Sequence, residues 1–156
     1  EAHLEVVGAK ISAEAVRFAG EPSAPCEWAR TAATVDARFA HDYAAGKGKT
    51  FLAPALESRG IRLLPSDPPP GYESPDLTFV LTRLGSASEA EIAKLNRAAV
   101  QASETGSQLI VLHTGVPETA PRAERLSAPA TVLLTYGASR GVMNAAADLL
   151  FGRKQP

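Results

Sequence analysis

The chain holds one cysteine, Cys26, among its 156 residues, which rules out an internal disulfide. Histidine is equally sparse: His3, His41 and His113 are scattered, and none stands at metal-ligand spacing. No apolar run approaches the roughly 20 residues that a bilayer-spanning helix needs. Neither charge is in excess. The 16 Lys and Arg against 17 Asp and Glu leave a net charge of −1, which argues against a nucleic-acid or membrane-surface partner. No G-x-G-x-x-G occurs, so a dinucleotide fold has no fingerprint here. The G-K-T ending at Lys49-Thr50 has Tyr43 where a phosphate-binding loop requires glycine, and it reads as a solvated loop. No metal and no cofactor are expected.

What is present is an ordinary globular composition, 45% hydrophobic and 21% charged, in a chain the size of one domain. It starts at Glu1 and stops a few residues past a helix. Both ends read as cuts, so a piece of something larger is expected.

Leu4, Val7, Ile11, Ala15 and Phe18 recur at helical spacing, and Gly20 stands where such a helix would end. Thr31 to Val35 predicts a strand. Thr50 to Arg59 predicts a helix capped by Thr50, with Leu52, Ala55 and Leu56 inward and Gly60 at its end. A short strand follows at Ile61 to Leu64. Five prolines between Pro65 and Pro75 leave room only for a surface loop. Leu77 to Leu84 predicts a buried strand. Ser88 with Glu91 spells a capping box that opens a helix burying Ile92, Leu95, Ala99 and Ala102, closed by Gly106. Leu109 to Leu112 and Thr131 to Leu134 are further strands. A last helix from about Ser139 buries Val142, Ala146, Leu149 and Leu150 and ends at Gly152.

Strands that are apolar throughout, separated by helices, imply a parallel sheet covered on both faces. The expected fold is a three-layer α/β/α sandwich with a mostly parallel sheet of about five strands. Sites in such sheets lie at the carboxyl ends of strands, here Arg83 to Ser86, His113 to Val116 and Tyr136 to Arg140. Arg83 and Arg140 at neighbouring strand ends suit a hydroxyl-rich or anionic ligand, against salt bridges as the plainer role. His113 is a candidate ligand contact, against a hydrogen-bonded structural histidine.

Gly137 to Gly141 spells the G-x-S-x-G of a nucleophile elbow, between a strand and a helix as that motif requires. The elbow serine needs a histidine base that follows it in sequence, and every histidine here precedes Ser139. The serine is therefore read as a helix cap. A serine hydrolase using Ser139 and a flavodoxin-like binding module stand as the alternatives.

Residues 107 to 152 resemble the C-terminal domain of glycoside hydrolase family 3. The resemblance lies in Leu112-His113-Thr114-Gly115-Val116-Pro117, in Pro129 to Tyr136, and above all in Ala146-Ala147-Asp148-Leu149-Leu150-Phe151-Gly152. Tyr136-Gly137-Ala138-Ser139 and the A-A-D that follows look most similar to the β-N-acetylglucosaminidase branch. Residues 76 to 106 fit the family's order of elements, and residues 1 to 65 match only as a pattern. The resemblance implies a partner, an N-terminal (β/α)8 barrel carrying the aspartate nucleophile, and a carbohydrate substrate. It implies an accessory domain that packs on that barrel, lines the sugar site and is not catalytic alone. β-Glucosidases of the family often place an acid/base glutamate after a strand of this domain. The equivalent stretch, Thr82 to Glu89, has no glutamate at that position, so no catalytic residue carries over.

Overall fold

The computed structural model describes residues 16–20, 26–38, 51–65, 69–83 and 88–152. The expectations for Leu4 to Ala15, Thr50 as a cap, the G-K-T ending, His3, His41 and Leu84 to Ser86 lie outside these residues. Among them run β1 (Arg17–Phe18), β2 (Thr31–Asp36), α1 (Leu52–Glu57), β3 (Arg62–Leu64), β4 (Leu77–Thr82), α2 (Glu89–Thr105), β5 (Gln108–His113), β6 (Ala130–Leu134) and α3 (Arg140–Phe151). Short 3-10 turns at Pro117–Thr119 and Ala123–Arg125 lie between β5 and β6.

The strands form one sheet in the order β1-β6-β5-β4-β2-β3. Every neighbouring pair is parallel except β1 with β6. The mostly parallel α/β architecture is as expected, with six strands rather than about five. The extra strand is a correction. Arg17 and Phe18, expected to end a helix, pair antiparallel with Leu134 and Leu133. The Ala19 amide then donates to the Val132 carbonyl at 2.8 Å. The open edge of β6 offers unpaired backbone groups, and satisfying them outweighs continuing a helical spacing that only five residues define.

All six residues of β4 are buried, as are five of six in β5, so the continuous apolar runs do mark central parallel strands. Alternation splits their side chains between two cores. Phe79, Leu81, Ile110, Leu112 and Leu133 pack with α1 and α3 on one face. Val80, Leu109, Val111 and Val132 pack with α2 on the other. α1 buries Leu52, Ala55 and Leu56 as expected, but its N-cap is Phe51 and no side chain caps it. α3 buries Val142, Met143, Ala146, Ala147, Leu150 and Phe151. Leu149 is exposed, contrary to expectation, because it lies off that stripe at helical period. α2 begins at the Ser88 cap and ends at Gly106 in the left-handed conformation, φ 74°, as expected. Its inner face holds Glu91 in the place expected for Ile92.

No helix links β3 to β4 among the described residues. Pro65, Tyr72 and Pro75 instead line a cavity of about 90 Å³ with Ala33, Val35 and Thr78. Asp76 pins this connection at the base of the sheet. Its carboxylate accepts from the Arg30 and Thr31 amides at 2.8 and 3.2 Å, and its amide donates to the Thr31 hydroxyl at 2.9 Å.

A second anchor joins α1 to α3. The Arg59 guanidinium donates to the Ala55 carbonyl, to the side chain and carbonyl of Asn144, and to Asp148 Oδ1 at 2.5 Å. The aspartate of the Ala146-Ala147-Asp148 motif is thus a clamp between two helices on one face of the sheet.

Candidate functional site at the carboxyl end of the sheet

Strands β2 to β6 run in the order β3-β2-β4-β5-β6, so the chain reverses its direction of travel across the sheet between β2 and β4. Ligand crevices in open α/β sheets form at the carboxyl side of such a switch point. At the end of β2, Arg38 grips Asp36 through Nε at 2.9 Å and Nη2 at 2.8 Å, a bidentate pair that is mostly buried. The pair holds the chain as it leaves the strand, and the Ala37 amide donates to the Leu81 carbonyl at 2.9 Å.

β4 and β5 end in register, Thr82 beside His113. His113 is fully buried, and both ring nitrogens are engaged within the chain. Nε2 lies 2.8 Å from the Val116 carbonyl and 3.0 Å from the Thr119 hydroxyl. A carbonyl only accepts, so Nε2 carries the proton. Nδ1 then accepts from the Thr82 hydroxyl at 2.8 Å. The histidine is a strut between β4, β5 and the following turn. Burial depresses its pKa below the ordinary 6.5, opposed by the Val116 carbonyl and the charge of Glu91.

That shift predicts a pH dependence. The folded protein resists protonating His113 while the unfolded chain binds the proton near its ordinary pKa, so stability falls as pH drops below about 6.5. Thermal melts of wild type and His113→Gln between pH 7.5 and 5 should converge as pH falls. Parallel curves would refute this.

The turn after His113 is built against Arg83. The amide and hydroxyl of Thr114 donate to the Thr82 carbonyl at 2.7 and 2.9 Å. A β-carbon on Gly115 would lie 1.9 Å from the Arg83 carbonyl oxygen. Glu91, buried on α2, accepts from the Arg83 amide at 3.1 Å. The carboxylate read as half of a capping box therefore also holds the end of β4, which explains its place on the inner face. β6 joins the cluster through Thr135, whose amide donates to the His113 carbonyl at 3.0 Å. The Thr135 hydroxyl faces the Gly137 carbonyl at 2.7 Å. This bond supports the turn in which Tyr136 adopts a left-handed φ of 57°.

Ser139 caps α3. Its hydroxyl accepts from the Val142 amide at 3.4 Å. His113, the histidine among the described residues, is committed elsewhere and does not serve Ser139 as a base. Ser139→Ala should cost about 1 kcal/mol, the usual loss of an N-cap, read as a small drop in melting temperature. A fluorophosphonate should leave both forms unlabelled.

Of the three ligand candidates, the structure brings Arg83 and Arg140 to this end as exposed side chains and places His113 beneath them. Arg140 Cζ lies 5.2 Å from the centre of the Phe51 ring, and Arg17 Cζ lies 5.9 Å from that of Tyr136. Phe51, Val116 and Tyr136 are exposed large hydrophobics at this end. It thus presents cations and apolar groups together. Among the described residues no three His, Cys, Asp or Glu side chains are grouped to hold a metal ion. No described helix is long and apolar enough to cross a membrane.

The fold is similar to parts of several solved enzymes. A β-glucoside phosphorylase, BglX, superposes with a TM-score of 0.63 at 13% identity, over 97% of this chain and 30% of that one. A glycoside hydrolase family 3 β-N-acetylglucosaminidase from Paenibacillus superposes at 0.59 with 17% identity, over 92% and 29%. The β-N-acetylglucosaminidase from Thermotoga maritima superposes at 0.51 with 14% identity, over 92% and 31%. The chain therefore spans about a third of the length of these enzymes. No protein-family model matches the sequence, and no curated protein matches it.

Proposed function

We propose that this chain is the accessory α/β domain of a family 3 glycoside-processing enzyme, docking on a catalytic (β/α)8 barrel. The observation that carries the reading is the fold: nearly the whole chain superposes on about a third of enzymes of this kind. The Gly115 turn and the Asp148 clamp give structural reasons for the motifs behind the sequence resemblance. The docking surface is the carboxyl end of the sheet, where Phe51, Val116 and Tyr136 stand exposed beside Arg17, Arg83 and Arg140. Arg83 and Arg140 reach the sugar hydroxyls, and His113 fixes the turn that presents them. The substrate class is a β-linked glucoside or N-acetylglucosaminide. The nucleophile belongs to the barrel, so the domain alone hydrolyses nothing.

The isolated 156 residues should leave nitrophenyl β-glucoside and β-N-acetylglucosaminide intact, with no release above the buffer rate. Sustained release would overturn the accessory role. In an enzyme containing the barrel, Arg83→Ala and Arg140→Ala should raise KM more than they lower kcat. Unchanged KM in both would remove these residues from the sugar site.

The strand order favours a second reading, a flavodoxin-like binding module, since its switch point lies where such folds hold a flavin. A flavin retained through purification would support it over the first.

A further inference from the structure

We infer that the amino end of the sheet carries a second binding groove, built around Trp28, for a neutral saccharide. It lies at the opposite end from the surface proposed above and does not depend on that reading. The groove encloses about 440 Å³ between the start of β5, the start of β6 and the last turn of α2. Trp28 forms one wall and is 55% exposed. Ser103, Gln108 and Thr131 line it as well, and none of their side chains has a hydrogen-bond partner among the described residues.

The chemistry of this lining selects its ligand. No charged side chain among the described residues lines the groove. The carboxyl end of α2 adds helix carbonyls and the negative end of its dipole, which disfavour a phosphate or carboxylate. A cation would need more than one ring or a carboxylate to replace its water, and the described lining has neither. A polyproline segment packs between several aromatic side chains, and Trp28 is the sole aromatic among the described lining residues. What remains is a ligand with one flat apolar face and an edge of groups that both donate and accept. A pyranose has that form. Its C–H face covers the indole, and its hydroxyls meet Ser103, Gln108, Thr131 and the α2 carbonyls.

Trp28 is the one tryptophan in the chain, so its fluorescence reports on this groove alone. Titration of the chain with β-linked glucose and N-acetylglucosamine tetrasaccharides should give a saturable blue shift, with a Kd of about 1 mM for one or both. Saturation-transfer NMR should show contact to ring protons with wild type and Trp28→Phe, and none with Trp28→Ala. Trp28 is exposed, so its loss leaves the fold intact, and an unchanged melting curve checks this. An unshifted emission at about 10 mM sugar, tenfold above that Kd, overturns the proposal. So does undiminished binding by Trp28→Ala, or a prolyl peptide that shifts the emission where sugars do not.

Discussion

Gly115→Ala should lower the melting temperature by about 6–12 °C, the consequence of roughly 3 kcal/mol in a domain of this size. The added β-carbon would stand 1.9 Å from the Arg83 carbonyl oxygen, 3.0 Å from its carbon and 3.3 Å from His113 Nε2. Two of these are backbone atoms that cannot swing aside. Relief requires β4 and the 114–119 turn to separate. That movement breaks the two Thr114 bonds to the Thr82 carbonyl and disturbs the histidine strut. Gly115 has an ordinary φ, so space and not backbone freedom demands the glycine. Gly106→Ala makes the contrast: its φ of 74° is strained, but nothing lies within 4 Å of the new atom. It should cost about 1–2 kcal/mol. Circular dichroism melts of the two variants decide the matter, and equal losses would show that the close approach at Gly115 is not limiting.

The second large effect is expected at the helix clamp. Asp148→Ala removes the anion that faces Arg59 and leaves a largely buried guanidinium with neutral partners only. The cost should be about 2 kcal/mol. It sits below the range for fully buried pairs because Asp148 is 39% exposed and water screens it. Arg59 Nε is buried and has no partner among the described residues, so the cation is imperfectly satisfied even in the intact protein. Replacing both residues, Arg59→Met with Asp148→Ala, should therefore recover at least half of the loss by removing the uncompensated charge. Urea titrations of the two single variants and the double variant measure the coupling. Additive losses would mean that the pair contributes nothing as a pair.

Which of these features the sequence reveals depends on how local their causes are. Ser88, Gly106 and Ser139 were legible as caps because a cap satisfies amides or carbonyls within a few residues of itself. β4 and β5 were legible because burial on both faces demands an unbroken apolar run. Arg17 and Phe18 carry no local mark of a strand. Their strand exists only because β6, more than 110 positions later, leaves an edge to pair with. Leu149, seven residues after Val142, fits an inner face by helical spacing, whereas the packed stripe runs through Met143, Ala147 and Phe151.

At the site the same division holds. The sequence alone determined that Arg83, His113 and Arg140 stand at strand ends, since that follows from where the apolar runs stop. It also showed that the three histidines of these 156 residues all precede Ser139, the reverse of the order that an elbow needs. Only the tertiary structure decided what each residue does there. Glu91 and Gly115 converge on the backbone of Arg83, and Asp148 answers Arg59 from 89 positions away. His113 turns inward to Thr82 and Val116 while the two arginines stay exposed. These partners meet because parallel strands bring distant chain ends side by side, and a contact across a sheet leaves no mark on local spacing.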